Sequence, residues 1–343
     1  MKRFIVVLLA VVIAAPCTFL LSGCTGGGSS FSLPSRVRTD DPEKSFAGYN
    51  YGLYDDGSAI ITGYTGSERE LRLPDSLDGH KVVTIGDNAF ADNTALTKVS
   101  LNSSLEMLGS FAFYGCTSLT DVSFGNSLWH IGVAAFEDTP WLSSRTEEFV
   151  IVGEGILLKY SGNAHKVKIP DNVKHISYAF SMNDSVIYVE MGDNVLTVGD
   201  SAFSFCPKLR EVKLGNNVLS IGNAAFENCE LLARVNIPDS VLKIGDGAFN
   251  FCIFLNDIHI GSSVAEIGAS AFNDCQRMKV VNLPASVKKI GGSAFANCYS
   301  LCLVCYTGSE ESFNSVEMDG SSNFRLKDAK KIFSEVGGSD EGR

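Results

Sequence analysis

Hydrophobic positions in this chain recur on a fixed beat. Phe90, Phe113, Phe136, Phe180, Phe203, Phe226, Phe249, Phe272 and Phe295 are spaced 23 residues apart, except for the step from Phe136 to Phe180, which is 44. Between two such marks the pattern is legible residue by residue. Val212 and Leu214 alternate with Lys213, as a strand with one buried face requires. Asn216 and Asn217 turn the chain, Val218 and Ile221 point inward again, and Gly222 permits a close bend. Ala225 and Phe226 fill the interior, and Cys229 and Leu232 close the unit. Each period thus predicts two short strands, around Val212 and Ile221, and a helical or 3-10 turn around Phe226. A period of 20–29 residues marks a solenoid, in which each repeat is one coil. No single coil buries both of its faces, so stability comes from stacking on neighbours.

The ends and the irregular step define the organisation. Residues 49–84 read as an N-terminal cap, with a hairpin formed by Tyr51 to Leu53, a turn at Asp55-Asp56-Gly57, and Ala59 to Thr62. Residues 85–306 read as a solenoid of about nine to ten coils. It carries an insert near residues 139–162, where Phe149 to Val152 and Ile156 to Tyr160 flank a Gly153-Glu154-Gly155 turn as a second hairpin. The added length is close to one coil, so the insert is expected within the stack; a flap hanging off it is the alternative. Residues 307–334 read as a mixed C-terminal cap and residues 335–343 as a disordered tail.

The N-terminus carries an address. Lys2-Arg3 precede an apolar run from Phe4 to Leu21, and Leu21-Ser22-Gly23-Cys24 follows. This segment resembles a bacterial lipoprotein signal, which implies a signal peptide over residues 1–23 and lipid attachment to Cys24. Residues 24–48 then form the lipidated cysteine and a flexible tether, opening with Thr25-Gly26-Gly27-Gly28-Ser29-Ser30.

The pattern Ile-Gly-x-x-Ala-Phe-x-x-Cys-x-x-Leu-x-x-Val-x-Leu-Pro-x-Ser-Val resembles the BspA-type leucine-rich repeat of bacterial surface proteins. The resemblance covers about Tyr49 to Phe333 and is cleanest over Ile221 to Phe249 and Ile267 to Phe295. It implies a β-rich leucine-rich-repeat solenoid at the bacterial cell envelope, in a family linked to adhesion, host-matrix binding and coaggregation. Local departures are Ser177 in place of Gly, and Asn93, Thr139 and Asn183 at the Cys position.

Composition removes whole classes of function. The chain has 28 Lys and Arg against 39 Asp and Glu, a net charge of −11, and no basic block. That argues against nucleic acid, whose binding rests on cations neutralising phosphates. Six of the ten cysteines (Cys116, Cys206, Cys229, Cys252, Cys275 and Cys298) share one column, three residues after the Phe. Parallel Cβ vectors in successive coils are poor disulfide geometry, so the column reads as a reduced, packed ladder. A Cys302–Cys305 bridge stays open as an alternative. No nucleophile elbow, zinc-binding His pair or phosphate loop is present, and neither a catalytic site nor a cofactor nor a metal is expected. His130 and His175 share the column before the repeat Ile, which reads as a varied solvent column.

Binding is what remains. Outward strand positions align as Ser100, Ser123, Glu190, Lys213, Asn236, His259 and Asn282, and a neighbouring column runs Lys98, Asp121, Tyr188, Glu211, Arg234, Asp257 and Val280. Glu190, Glu211, Lys213, Arg234, Asn236, Asp257, His259 and Asn282 are therefore the candidate protein-binding residues. The expected partner is a protein, in host extracellular matrix or on the cell's own surface, with the lipid on Cys24 engaging the membrane. The alternatives are a structural spacer or assembly scaffold without a host ligand, and, third, carbohydrate binding, for which Tyr188 is the single aromatic in these columns.

Overall fold

The computed structural model describes residues 36–318 and 322–334. The signal segment, Cys24 and the 335–343 tail lie outside the described residues. The chain winds as a β-solenoid of about twelve turns. The excess over nine to ten comes from the caps and the insert, whose turns lack the Ala-Phe mark.

Each regular coil lays down two strands, as the alternation predicts. Three-residue strands centred on valine (Tyr188–Glu190, Glu211–Lys213, Arg234–Asn236) stack in parallel on what we call the front face. Their register is strict: Val189 stands against Val212, and Val212 against Val235. Two-residue strands (Thr197–Val198, Ser220–Ile221, Lys243–Ile244) stack in parallel on the rear face.

The turn joining rear to front is not the helical or 3-10 turn expected from the sequence. Ala224 and Asn228 adopt left-handed φ values of 51° and 56°, and the equivalents Ser270/Asp274 and Ser293/Asn297 do the same. Asn and Asp tolerate that region best among non-glycine residues. The physical reason is where the N–H groups go. Phe203, Phe226 and Phe249 each donate to the alanine carbonyl of the next coil, at 2.7 Å. A helical turn would spend these donors within the coil; here they bind one coil to the next. Gly222 is required for a related reason. A Cβ there would lie 2.6 Å from the Asp200 amide nitrogen of the preceding coil, so close approach, rather than a special φ, selects glycine.

Inside, the phenylalanine rings form a row. Phe203, Phe226, Phe249 and Phe272 stack at centroid spacings of 5.2, 5.1 and 5.2 Å, with planes within 9° of parallel. The cysteine column runs beside it. Cys229 Sγ donates to the Phe203 carbonyl at 3.0 Å, and the other five column cysteines repeat this contact. Burial pushes the Cys116 thiol up to about 11 and that of Cys298 up to about 12, which keeps both protonated and unreactive. Cys302 and Cys305 are both free thiols.

The insert enters the stack on one face only. Its strand Ile156–Tyr160 pairs in parallel with His175–Ile176 on the rear face and antiparallel with Phe149–Val152. Tyr160 continues the aromatic row onto Phe180 at 4.7 Å, and Ile156, Leu157, Leu158 and Tyr160 are buried. It is a coil, not a flap. On the front face, however, no strand pairs with the outer edge of Asp121–Ser123 or of Lys166–Lys168, and each of these ends its sheet. The hydrophobic interior divides at the same place: Ile156 and Leu158 belong to one core, Leu157 and Tyr160 to the other.

This hairpin repeats the N-terminal cap. Tyr49–Leu53 and Ala59–Tyr64 pair antiparallel with a register shift after the second residue pair, and so do Phe149–Val152 and Ile156–Tyr160. Tyr49 packs on Tyr64, and Phe149 on Tyr160, both at 5.0 Å. Lys44–Phe46 adds a strand to the N-terminal hairpin, so ordered structure starts before residue 49. At the other end, helix Glu310–Asn314 is capped by Ser309, and strands Glu317–Met318 and Lys330–Phe333 extend the rear and front sheets. Buried Asn323 accepts from the Phe295 N–H (3.0 Å) and donates to the Gly291 carbonyl (2.9 Å), closing the last coil.

The aromatic row makes a direct prediction. Phe226 is fully buried, and Phe226→Ala removes a ring from mid-row, which costs about 3–5 kcal/mol through the cavity left behind. Exposed Lys213→Ala shifts stability by no more than about 0.5 kcal/mol. Urea titration of both variants checks this; a Phe226→Ala midpoint matching that of Lys213→Ala contradicts the packing account.

Candidate binding surfaces

The front face presents the candidate residues in register. Glu190, Lys213 and Asn236 stand in one row and Tyr188, Glu211 and Arg234 in the next, because parallel pairing sets each directly beside its counterpart one coil away. Every central valine is buried, so its flanking residues point outward. His259 and Asn282 pair likewise, but in a separate sheet, and Asp257 precedes that sheet's first strand. Between the two sheets the Ile237 N–H reaches the His259 carbonyl at a long 3.4 Å. The candidate set is therefore split into five residues on one sheet and three at the next.

Much of the charge on this face is engaged within it. Lys213 pairs with Glu190 at 2.9 Å, Arg234 with Glu211 at 2.5 Å, and Lys98 with Asp121 at 2.7 Å, each across one coil. The Lys213 and Arg234 side chains stay largely solvent-exposed, so such pairs contribute little stability. Asp257 accepts from the Val280 N–H at 3.1 Å. Turn carboxylates and amides are used similarly. Asp200 accepts from the Asn223 N–H, Asn223 from that of Asp246, and Asp246 from that of Ala269, at 2.7–2.9 Å. Part of the acidic surplus thus serves backbone donors at coil corners.

The departures from the repeat now have causes. Asn93 and Asn183 accept through their side chains from backbone N–H groups two and three residues on, where in cysteine coils the backbone carbonyl accepts the latter, as Cys229 does from Leu232. Thr139 caps the short helix Pro140–Ser143 by accepting from the Leu142 N–H. Ser177 donates through its hydroxyl to the Ile131 carbonyl at 2.6 Å, tying together the coils on either side of the insert.

The solvent-column reading fails at one histidine. His175 is 5% exposed, its Nδ1 lies 3.0 Å from the buried Thr197 hydroxyl, and the Trp129 ring sits 6.0 Å away. The insert is the reason, since it sets Ile156 rather than a polar residue beside His175. His130, 5.5 Å from Trp129, is half-buried. Burial, followed by the neighbouring charges of His130 and Lys174, pushes the His175 pKa down to about 4.

A cleft of about 340 Å³ opens where the front sheet is interrupted, lined by Val122, Phe124, Trp141, Arg145, Glu147 and the strand Phe149–Val152. Sequence reading missed it because its residues come from two separate stretches of the chain, 122–124 and 141–152, with no motif among them. Among the described residues no cluster of three or more His, Cys, Asp or Glu is placed to hold a metal ion, and no helix is long and apolar enough to cross a membrane.

Parallel coils of one length, an inward phenylalanine row and a cysteine column define a repeat solenoid of the leucine-rich class. The chain belongs to the family described as the BspA type leucine rich repeat region, whose model matches residues 83–182 and 176–302 in six copies. Among solved structures it is similar to a leucine rich cell surface protein from Faecalibacterium prausnitzii, with 20% identity over 82% of this chain and 99% of that one, and a TM-score of 0.40. It is similar also to a leucine-rich repeat protein from Bacteroides ovatus (24% identity, 89% and 79% covered, TM-score 0.41). A third is the pneumococcal vaccine antigen PcpA (15% identity, 86% and 99% covered, TM-score 0.46). No curated protein matches the chain.

Buried His175 makes stability depend on pH. The unfolded chain binds this proton near 6.5 and the folded chain only near 4, so the unfolded state carries more protons between those values. Stability is then lost as pH falls through that window, by on the order of 3 kcal/mol for a shift of this size. His175→Gln keeps a hydrogen-bonding group for Thr197 and should flatten the loss. Thermal melts from pH 7 to 4 test this; identical slopes for the two proteins rule out His175 as the titrating group.

Proposed function

We propose that the protein is a non-catalytic, lipid-anchored binding protein on the extracytoplasmic side of a bacterial envelope, and that its front face meets another protein. The observation that carries this reading is the register of the front strands, which holds two rows of polar side chains on a rigid β-surface. Broad surfaces of mixed charge suit protein partners, whereas small molecules need concave apolar sites. The membrane anchor rests on Lys2-Arg3, the apolar run and Leu21-Ser22-Gly23-Cys24. Burial of acyl chains at about 0.8 kcal/mol per CH₂ makes a doubly or triply acylated cysteine a durable anchor. The partner class is host matrix or another surface protein.

A second reading, a spacer or scaffold without a host ligand, is favoured by the ion pairs that satisfy charge within the face. Carbohydrate binding is weaker: the Lys166 ammonium lies over the Tyr188 ring at 4.9 Å, so the aromatic of these rows is already covered.

Two experiments separate these readings. Neutralising Glu211, Lys213, Arg234 and Asp257 together (Glu211→Gln, Lys213→Gln, Arg234→Gln, Asp257→Asn) should leave circular dichroism and melting unchanged. Binding to matrix and envelope proteins that pull down with the parent should weaken at least about tenfold, since several neighbouring polar contacts go at once. A variant that retains every parental partner at parental affinity moves the assignment to the scaffold. Independently, Cys24→Ala should leave the protein unlipidated and lost from the washed membrane fraction. Unchanged acyl labelling would refute the anchor.

A further inference from the structure

The interruption in the front sheet is built like a receptor for a strand. Asp121–Ser123 ends one front sheet and Lys166–Lys168 begins the next, so their unpaired edges face each other along the stack. Phe149–Val152, in the cleft between them, is itself the last strand of the rear sheet. At the first edge the direction of the backbone groups is fixed. The Asp121 N–H donates to the Thr97 carbonyl (3.3 Å) and the Ser123 carbonyl accepts from the Leu101 N–H (2.9 Å), both within the sheet. Backbone groups alternate sides along a parallel strand, so the N–H and C=O of Val122 point to the open side.

The cleft also holds polar groups left without partners. Trp141 is 2% exposed, and no described residue accepts from its Nε1; the same holds for the buried Nε of Arg145. Arg145 is posed over the Trp141 ring at 5.0 Å and reaches Glu147 only at 3.5 Å. Glu147 shares its carboxyl between backbone N–H groups, its own first, and the Arg145 charge, which together hold it below the usual range and leave the Arg145 Nε unused. A fixed guanidinium beside an aromatic floor, under a strand edge, is what an extended peptide with a carboxylate would meet.

We propose that this cleft binds an extended segment of another protein, which adds to the Asp121–Ser123 edge and carries a carboxylate and an aromatic side chain at alternate positions. The carboxylate meets Arg145, and the aromatic side chain rests on the part-exposed Phe124. Charge selects against the chain's own tether: Thr25 to Thr39 contains Arg36 and Arg38 and no acid. The site lies apart from the charged rows at Glu211 to Asp257, so either assignment can fail without the other.

The probe is a fluorescein-labelled peptide, Thr-Val-Thr-Phe-Thr-Glu-Thr-Val-Thr, titrated by polarisation against the full-length protein held in phospholipid nanodiscs. The glutamate peptide should bind at least tenfold tighter than its lysine counterpart. N-methylation of one set of alternate amides should abolish binding while methylation of the other set is tolerated, and exchange at the Val122 amide should slow. Arg145→Gln should weaken the glutamate peptide tenfold and its glutamine counterpart less than twofold. Equal binding of the glutamate and lysine peptides, or indifference to both methylation patterns, overturns the proposal. So does equal affinity for a peptide of residues 25–39, which would give the cleft to the tether, or competition by a second copy of the protein.

Discussion

Everything in this molecule depends on stacking identical positions at the spacing of parallel strands. Hydrogen bonds run along the stack at three places in each coil: the front strand, the rear strand and the Phe turn. Together they allow one register, in which residue i stands over residue i+23. Side chains must therefore tolerate their own kind as neighbours. Phenylalanine does so by offset stacking, asparagine by amide-to-amide contacts such as Asn273 to Asn250 at 2.9 Å, and cysteine by giving its proton to a neighbouring coil's carbonyl. Charges escape the constraint by alternating in sign, as Glu190 with Lys213 and Glu211 with Arg234 do, or by accepting a backbone N–H of the next coil, as Asp246 does.

This constraint explains why so much was legible in the sequence and where legibility ended. A period of 23 residues with Val212, Ile221 and Phe226 inward was enough to give both strands, the buried row and the outward rows, because stacking leaves each column one environment. The conformation of the Phe turn was not legible, since Ala-Phe flanked by polar residues suits a helical turn equally well. What decides against it is donor use between coils, which no local pattern reveals. His175 was misplaced for a similar reason: its column runs from exposed at Lys289 to buried at Thr197, and the insert hairpin and Trp129 set its surroundings in this coil. The front cleft was invisible because it is defined by a strand that one sheet has and the other lacks.

The candidate surfaces contrast in physical character. The outward rows are regular and largely self-neutralised, and they belong to the repeat as such. The cleft is irregular, part apolar and short of hydrogen-bond acceptors, and it belongs to this chain's departure from the repeat. The rows vary in side chain along a constant backbone, whereas the cleft varies the backbone itself.

The division of the interior at Ile156–Tyr160 has a consequence for how the array holds together under load. In a one-dimensional stack, cooperativity passes only between neighbours. Here the row that carries it breaks, with Phe136 packing on Trp141 at 4.9 Å while Tyr160 serves Phe180. The second half opens with its own hairpin, built like the one that seals the first. Each half packs its own core at the seam, and the strand Ile156–Tyr160 and the Ser177–Ile131 hydrogen bond join the two. Opening of the N-terminal half then reaches the C-terminal half through that strand and that bond. A solenoid divided in this way can lose the order of one half while the other keeps its own core.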